Sequence, residues 1–241
     1  MDFSIIIEAR LNSRRLPNKI LMKIKKYSFL EYLIKRLKLV KNVRDIIIAT
    51  TDNEPNEEII QIAKRNKIKW FKGSEKNVLL RVIKTAKHFK CKNIVRVTSD
   101  CPLIDPKIID LAIESYKNNK CDYLSNTIVR TYPDGMDVEV FSLKNLIKSY
   151  KFAKNARYKE WTTWSIRNNP KKFKMINLIA PNDHKWPELG LTLDEYPDFV
   201  FLKKIIMHYK ETVKFNCIDA INLIKKNKKW LKINKNVKRN L

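Results

Sequence analysis

Through the first half of the chain, short β-branched runs alternate with segments whose apolar residues recur every three or four positions. Residues 3–7 have the pattern of a buried strand. A polar, basic stretch follows, and residues 27–39 then carry apolar positions at helical spacing. Residues 43–49 predict a second strand, closed by Thr50, Thr51 and Asp52. Residues 57–65 predict a helix with Ile59, Ile60, Ile62 and Ala63 on one side. The rhythm continues with a strand at 69–71, a helix at 78–89, a strand at 93–98 and a helix at 106–116, with Pro106 in its first turn. Such alternation predicts βαβ units, a mainly parallel sheet and an α/β fold. Ligands of such sheets bind beyond the carboxyl ends of the strands. That rule selects residues 8–19, 50–53 and 99–103.

The pattern changes after residue 122. Strands are expected at 122–125 and 137–141, flanking Pro133-Asp134-Gly135, with helices at 143–151 and 160–168 and a strand near 173–178. Residues 197–209 are amphipathic, and 218–226 predict another helix. No internal repeat or linker interrupts the sequence. The expected organisation is one domain over residues 1–210 with a helical C-terminal extension, 211–241, packed on it.

Composition narrows the functional classes. The chain has 241 residues, 44% of them hydrophobic, which suits a buried core rather than global disorder. Three glycines leave no material for a long glycine-rich phosphate loop. Lysine and arginine number 51 against 25 acidic residues, a formal charge of +26 that raises nucleic acid or an anionic surface as a partner. The basic residues run along the whole chain, however, with modest clusters only at 225–229 and 235–239. A lysine-rich background accounts for that distribution better than a dedicated nucleic-acid interface. Cys91, Cys101, Cys121 and Cys217 form no CxxC pair and read as reduced thiols. No apolar run approaches the ~20 residues of a membrane span, and Asp2 and Glu8 do not suit a signal peptide. The expectation is a soluble cytoplasmic protein.

The most informative stretch is EARLNSRRLPNKIL, residues 8–21. It gathers Arg10, Arg14, Arg15 and Lys19 after the first strand, where these cations, backbone amides and the Ser13 hydroxyl can surround a polyphosphate. A solvated basic loop is the competing reading. A second stretch, VRVTSDCPLIDP, sets Asp100 directly after a buried strand, a position suited to a metal ligand at the sheet edge. Asp105, before Pro106, reads as a helix cap. In LTLDEYPDF, Asp194 ends an apolar run, and Asp198 falls in the first turn of the next helix, a structural position for a carboxylate.

These motifs together resemble the cytidylyltransferase family that includes CMP-KDO and acylneuraminate synthetases, nearest to its spore-coat-polysaccharide branch (SpsF-type). The opening loop is similar to AR-x-x-S-x-R-L-P-x-K-x-L through Ala9, Arg10, Ser13, Arg15, Leu16, Pro17, Lys19 and Leu21. Asn18 stands where the family often has glycine and tolerates the same left-handed backbone. The resemblance covers nearly the whole chain and implies a Rossmann-like (GT-A-like) nucleotide-binding domain. It implies Mg2+ as cofactor, held by Asp100 and Asp194, and CTP and a small anionic acceptor as ligands. The implied catalytic residues are Arg10, Arg15, Lys19 and Asp100. Ala9, Ser13, Thr50, Thr51 and Arg81 would join them around the nucleotide, although threonines at strand ends are common and Arg81 also reads as a surface arginine.

On the acceptor side the resemblance implies Asp134, Asp137 and Glu139 from YPDGMDVEVF, together with Lys159 and Glu160. A hairpin turn at Asp134-Gly135 is the alternative there. Lys159 and Trp161 replace the family's arginine and histidine, so a known sugar acid cannot be copied onto this chain. The expected reaction joins CMP from CTP to an acidic sugar or phosphorylated small molecule, with release of pyrophosphate, in surface-polysaccharide or glycoconjugate synthesis. Two rivals are a nucleotidyltransferase or glycosyltransferase of the same fold using another nucleotide, and a basic nucleic-acid-binding protein. A homodimer is an open expectation.

Overall fold

The computed structural model describes residues 2–53, 56–210 and 212–239. A seven-stranded sheet runs in the order β5-β4-β1-β6-β8-β7-β9. Its strands are β1 (Phe3–Glu8), β4 (Asp45–Thr51), β5 (Lys69–Gly73), β6 (Asn93–Thr98), β7 (Tyr123–Ser125), β8 (Glu139–Ser142) and β9 (Met175–Asn177). Only β8 opposes its neighbours: it pairs antiparallel with β6 and β7, while every other pairing in this sheet is parallel. The expected mainly parallel α/β sheet is present.

Period-2 alternation divides the core. In β1, Ile5 and Ile7 join one buried cluster and Ile6 the other, all fully enclosed. Each buried isoleucine contributes roughly 1.5–3 kcal/mol relative to exposure. The first face is covered by α1 (Phe29–Leu37), α2 (Glu57–Arg65), α4 (Pro106–Asn118), α8 (Tyr196–His208) and α9 (Cys217–Lys226). The second is covered by α3 (Val78–His88), α5 (Leu143–Tyr150) and α7 (Trp164–Arg167). Within residues 212–239, Cys217, Ala220, Ile221 and Ile224 belong to the same cluster as β1. Asp105 caps α4 by accepting from Lys107 N at 2.9 Å, and its other oxygen accepts from Cys217 N at 2.7 Å, tying the start of α9 to the start of α4.

Several expected elements shift for identifiable reasons. The single helix at 160–168 is two short helices, α6 (Ala156–Glu160) and α7. Trp161 between them is extended, and the Thr162 and Thr163 hydroxyls donate to the buried carboxylates of Glu8 and Glu139. The turn considered at Asp134-Gly135 is formed, closed by Met136 N donating to the Pro133 carbonyl at 3.1 Å, but it does not join the antiparallel β7 and β8 directly as a tight hairpin. Residues 126–138 make a long excursion in which Asp134 also bridges to Gly190. The strand expected from 137 begins at Glu139, because Asp137 is held by Arg130. Sequence periodicity also missed the small β2 (Lys23–Ile24) and β3 (Tyr27–Ser28) hairpin and a 3-10 turn at Lys19–Leu21.

Candidate active site

The strand order reverses around β1, whose partners β4 and β6 lead to opposite halves of the sheet. The loops leaving β1 and β6 therefore open a crevice at the carboxyl edge, the place where open α/β sheets bind ligands. Two cavities lie there. One, of about 580 Å3, is lined by Ala9, Arg10, Ser13, Arg15, Lys19 and Arg81, among others. The other, of about 480 Å3, is lined by Arg130, Asp134, Asp137, Glu139, Trp164 and Arg167 among others. Asp100 and Asp194 line both, as do Arg15 and Trp161.

Local backbone geometry delivers Lys19 to this junction. Asn18 adopts the left-handed conformation (φ 56°, ψ 20°), as its glycine-like position requires, and the Lys19–Leu21 turn follows. Lys19 Nζ then lies 3.0 Å from Asp100 Oδ2 and 3.0 Å from Asp194 Oδ1. Arg15 adds a contact of 2.9 Å to Asp194 Oδ1 and donates to the Lys238 carbonyl at 2.7 Å. Burial works against the Lys19 charge, but the two carboxylates outweigh it and hold its pKa above the ordinary value. Burial likewise favours protonated Asp100, and Lys19 overrides it, so the Asp100 pKa is lowered.

The two aspartates, far apart in sequence, thus present oxygens to a single cation position. Among the described residues no group of three or more His, Cys, Asp or Glu gathers as a metal cage. Two carboxylates beside a cavity lined by arginine and lysine suit magnesium, which is commonly held by one or two carboxylates plus phosphate oxygens and water. The donor set fits that ion. Asp198, in the first turn of α8, is fully buried and accepts from the backbone N–H groups of Asp194 and Glu195 at 3.0 Å each, the structural role its position predicted.

Beneath the junction lies a largely covered charge network. Arg96 forks onto Glu8 with two 2.7 Å hydrogen bonds and reaches Glu139 at 2.8 Å. Glu139 also accepts from Tyr123 and Thr163, so its carboxylate is committed to the scaffold even though it borders the second cavity. Neither Glu8 nor Arg96 was among the sequence candidates. The signal was an arginine inside the apolar strand Asn93–Thr98, which requires a buried counter-charge.

The remaining candidates separate by position. Arg81 is buried rather than a surface arginine; it donates to the Ser74 carbonyl and borders the first cavity. Thr50 and Thr51 are buried at the end of β4 and line neither cavity; Thr51 Oγ1 accepts from Asn56. Glu160 borders the first cavity rather than the second, and Lys159 borders neither. Arg130 grips Asp137 with bonds of 2.6 and 2.8 Å and lies 3.3 Å from Asp134. Burial, helped by the neighbouring Asp137 charge, pushes the Asp134 pKa up to about 6 against the looser contacts from Arg130 and Arg239. Arg130, Arg167 and Trp164, whose ring centroid lies 5.6 Å from that of Trp161, also escaped the sequence analysis.

The family model described as Cytidylyltransferase matches residues 4–234. A solved cytidylyltransferase from Leptospira borgpetersenii superposes with a TM-score of 0.91 at 32% identity, with all of each chain covered. An uncharacterized protein of Methanocaldococcus jannaschii is 34% identical over 97% of this chain and 94% of its own. The spore coat polysaccharide biosynthesis protein SpsF of Bacillus subtilis is 29% identical over 94% of this chain and 95% of its own. With the nucleotide-binding fold, the crevice at the strand-order reversal and the family match in agreement, the chain belongs to the cytidylyltransferase family and is a nucleotidyltransferase.

Proposed function

We propose that the enzyme transfers CMP from CTP to a small anionic acceptor, in magnesium-dependent synthesis of a surface polysaccharide or glycoconjugate. One observation carries the reading: the two cavities meet at Asp100 and Asp194. CTP occupies the first cavity, with its phosphates against Arg10, Ser13, Arg15 and Lys19. The acceptor occupies the second, beside Arg130, Arg167 and Trp161. An acceptor oxygen, from a carboxylate or a phosphate, attacks the α-phosphorus; the bond to the bridging oxygen breaks and pyrophosphate leaves. Asp100 and Asp194 would hold magnesium, which supplies charge neutralisation at the α-phosphate. Lys19 and Arg15, which contact these carboxylates, also reach the phosphate oxygens. They thereby stabilise the departing negative charge by fixed electrostatics. The SpsF likeness supports the polysaccharide context.

The test combines ligand-linked melting with turnover. CTP with magnesium should raise the melting temperature more than ATP, GTP or UTP. A screen of acidic sugars and phosphorylated small molecules, read by pyrophosphate release, identifies the acceptor. Asp100→Asn and Asp194→Asn should each lower turnover by orders of magnitude while keeping the melting temperature within a few degrees. Arg15→Ala should weaken CTP binding by about 1.5–3 kcal/mol, the worth of one charged hydrogen bond. Equal shifts with all four nucleotides would remove the CTP preference, and full activity of Asp194→Asn would remove the shared-cation site.

A further inference from the structure

Residues 234–239 return to the back of the site, and Arg239 lies outside the segment that matches the family model. Its guanidinium is almost enclosed, with 9% side-chain exposure. Nη1 donates to Thr192 Oγ1 at 2.6 Å, and Nη2 donates to Asp198 Oδ1 at 2.7 Å. Nη1 also lies 3.5 Å from Asp134 Oδ2. Each contact leads towards Asp194. The Thr192 hydroxyl accepts from Arg239, which leaves its one proton for Asp194 Oδ2 at 3.1 Å or Asp134 Oδ2 at 3.3 Å. Asp198 takes Arg239 on one oxygen, and its other oxygen receives the backbone N–H groups of Asp194 and Glu195. Asn234 strengthens the hub by donating to Asp198 Oδ1 at 2.9 Å and to the Gly190 carbonyl at 3.2 Å.

The passage for this arginine is built into the fold. A β-carbon at Gly190 would meet the guanidinium carbon of Arg239 at 1.9 Å and two of its nitrogens at 2.0 and 2.1 Å. The absence of a side chain at position 190 is what lets the guanidinium reach Thr192 and Asp198. We infer that Arg239 is a positioning residue: through Thr192 and Asp198 it fixes the Asp194 carboxylate, side chain and backbone together, so that Oδ1 faces the cation position. Because this rests on the reading of Asp194 as a metal ligand, its loss takes the form of weakened divalent-metal affinity. Partners that orient a ligand without touching the metal are worth about 10–100-fold in metal affinity.

The probe is Mn2+ in the presence of CTP and without acceptor, with free ion counted by electron paramagnetic resonance and melting temperature recorded for each full-length variant. Wild type should bind Mn2+, and Asp194→Asn should lose it. Arg239→Ala should bind about 10–100-fold more weakly, and Arg239→Lys should fall between, since an ammonium replaces only part of the fork. Guanidinium ion at low millimolar concentration should restore affinity to Arg239→Ala, a rescue that a merely structural role would not show. Gly190→Ala, which keeps the arginine but blocks its path, should reproduce the defect and serves if Arg239→Ala folds poorly. Wild-type affinity in both Arg239→Ala and Gly190→Ala, or a defect in Arg239→Ala that guanidinium leaves unchanged, would overturn the positioning role. Absent binding by wild type, or undiminished binding by Asp194→Asn, would instead overturn the metal-ligand reading beneath it and the inference with it.

Discussion

Arg96 shows how a single side chain supports a site from below. Its half-buried guanidinium lies between the carboxylates of Glu8 and Glu139, so removing it leaves two largely covered acidic groups beside each other without their shared cation. Burial raises the Glu8 pKa, but Arg96 together with Thr162 and Arg81 outweighs it, for a net depression. A depressed carboxylate contributes stability that is present above its unfolded pKa and lost as pH falls through the folded value. Arg96→Met reverses the sign: Glu8, having lost its principal cation, becomes harder to ionise, so the variant gains relative stability as pH falls from 7 towards 5. At pH 7 it should lose about 3–5 kcal/mol in urea unfolding. A variant whose acid limb parallels wild type would refute this account. The same residue marks what was readable beforehand. An arginine in an apolar strand announces a buried partner, but not which of 25 acidic residues it meets, because that depends on strand order.

At the scale of elements, strands and helices with strong periodicity were legible, and the pieces held by distant side chains were not. Residues 57–65 and 93–98 fold as expected because their apolar faces alone determine them. The segment 160–168 carries helical spacing, yet it breaks where two threonine hydroxyls meet Glu8 and Glu139, carboxylates on other strands. That the basic loop after β1 lines the crevice was readable, because charge type and position after the first strand suffice. Arg130 and Arg239 were not, because a long loop and the chain's last described residues bring them in, and Arg167 was not, because it sits on the short helix α7, which forms only after the break at Trp161. Gly135 shows how such a loop is fixed. It has φ +102°, and a β-carbon there would meet the Leu191 carbonyl carbon and oxygen at 2.7 Å. Gly135→Ala should therefore strain the backbone by about 1–3 kcal/mol and push apart the Asp134–Gly190 bridge. A lower melting temperature together with reduced turnover is expected; an unchanged melting temperature would mean that the two segments part freely.

For the whole molecule the question is what a charge of +26 does in an enzyme whose ligand is itself an anion. Acidic partners cluster at the site: Lys19 and Arg15 are matched by Asp100 and Asp194, and Arg96 by Glu8 and Glu139. Much of the excess lies instead on exposed lysines, including Lys225, Lys226, Lys229, Lys232 and Lys235. Among the described residues no helix is long and apolar enough to cross a membrane. Exposed like charges repel through solvent and are screened over about 10 Å at 0.1 M salt, whereas contacts inside a half-enclosed cavity are screened much less. Raising sodium chloride from about 50 to 200 mM should thus increase the melting temperature of the free protein through weaker self-repulsion. Over the same range the further shift produced by CTP with magnesium should persist. Binding to a DNA duplex of arbitrary sequence should behave oppositely, falling by about 10³-fold or more if six or more phosphates are engaged. The measurement is a thermal-shift series with CTP beside a DNA titration at matched salt. DNA affinity that survives 200 mM salt, with a CTP shift that vanishes there, would move the ligand from the crevice to the lysine-rich surface.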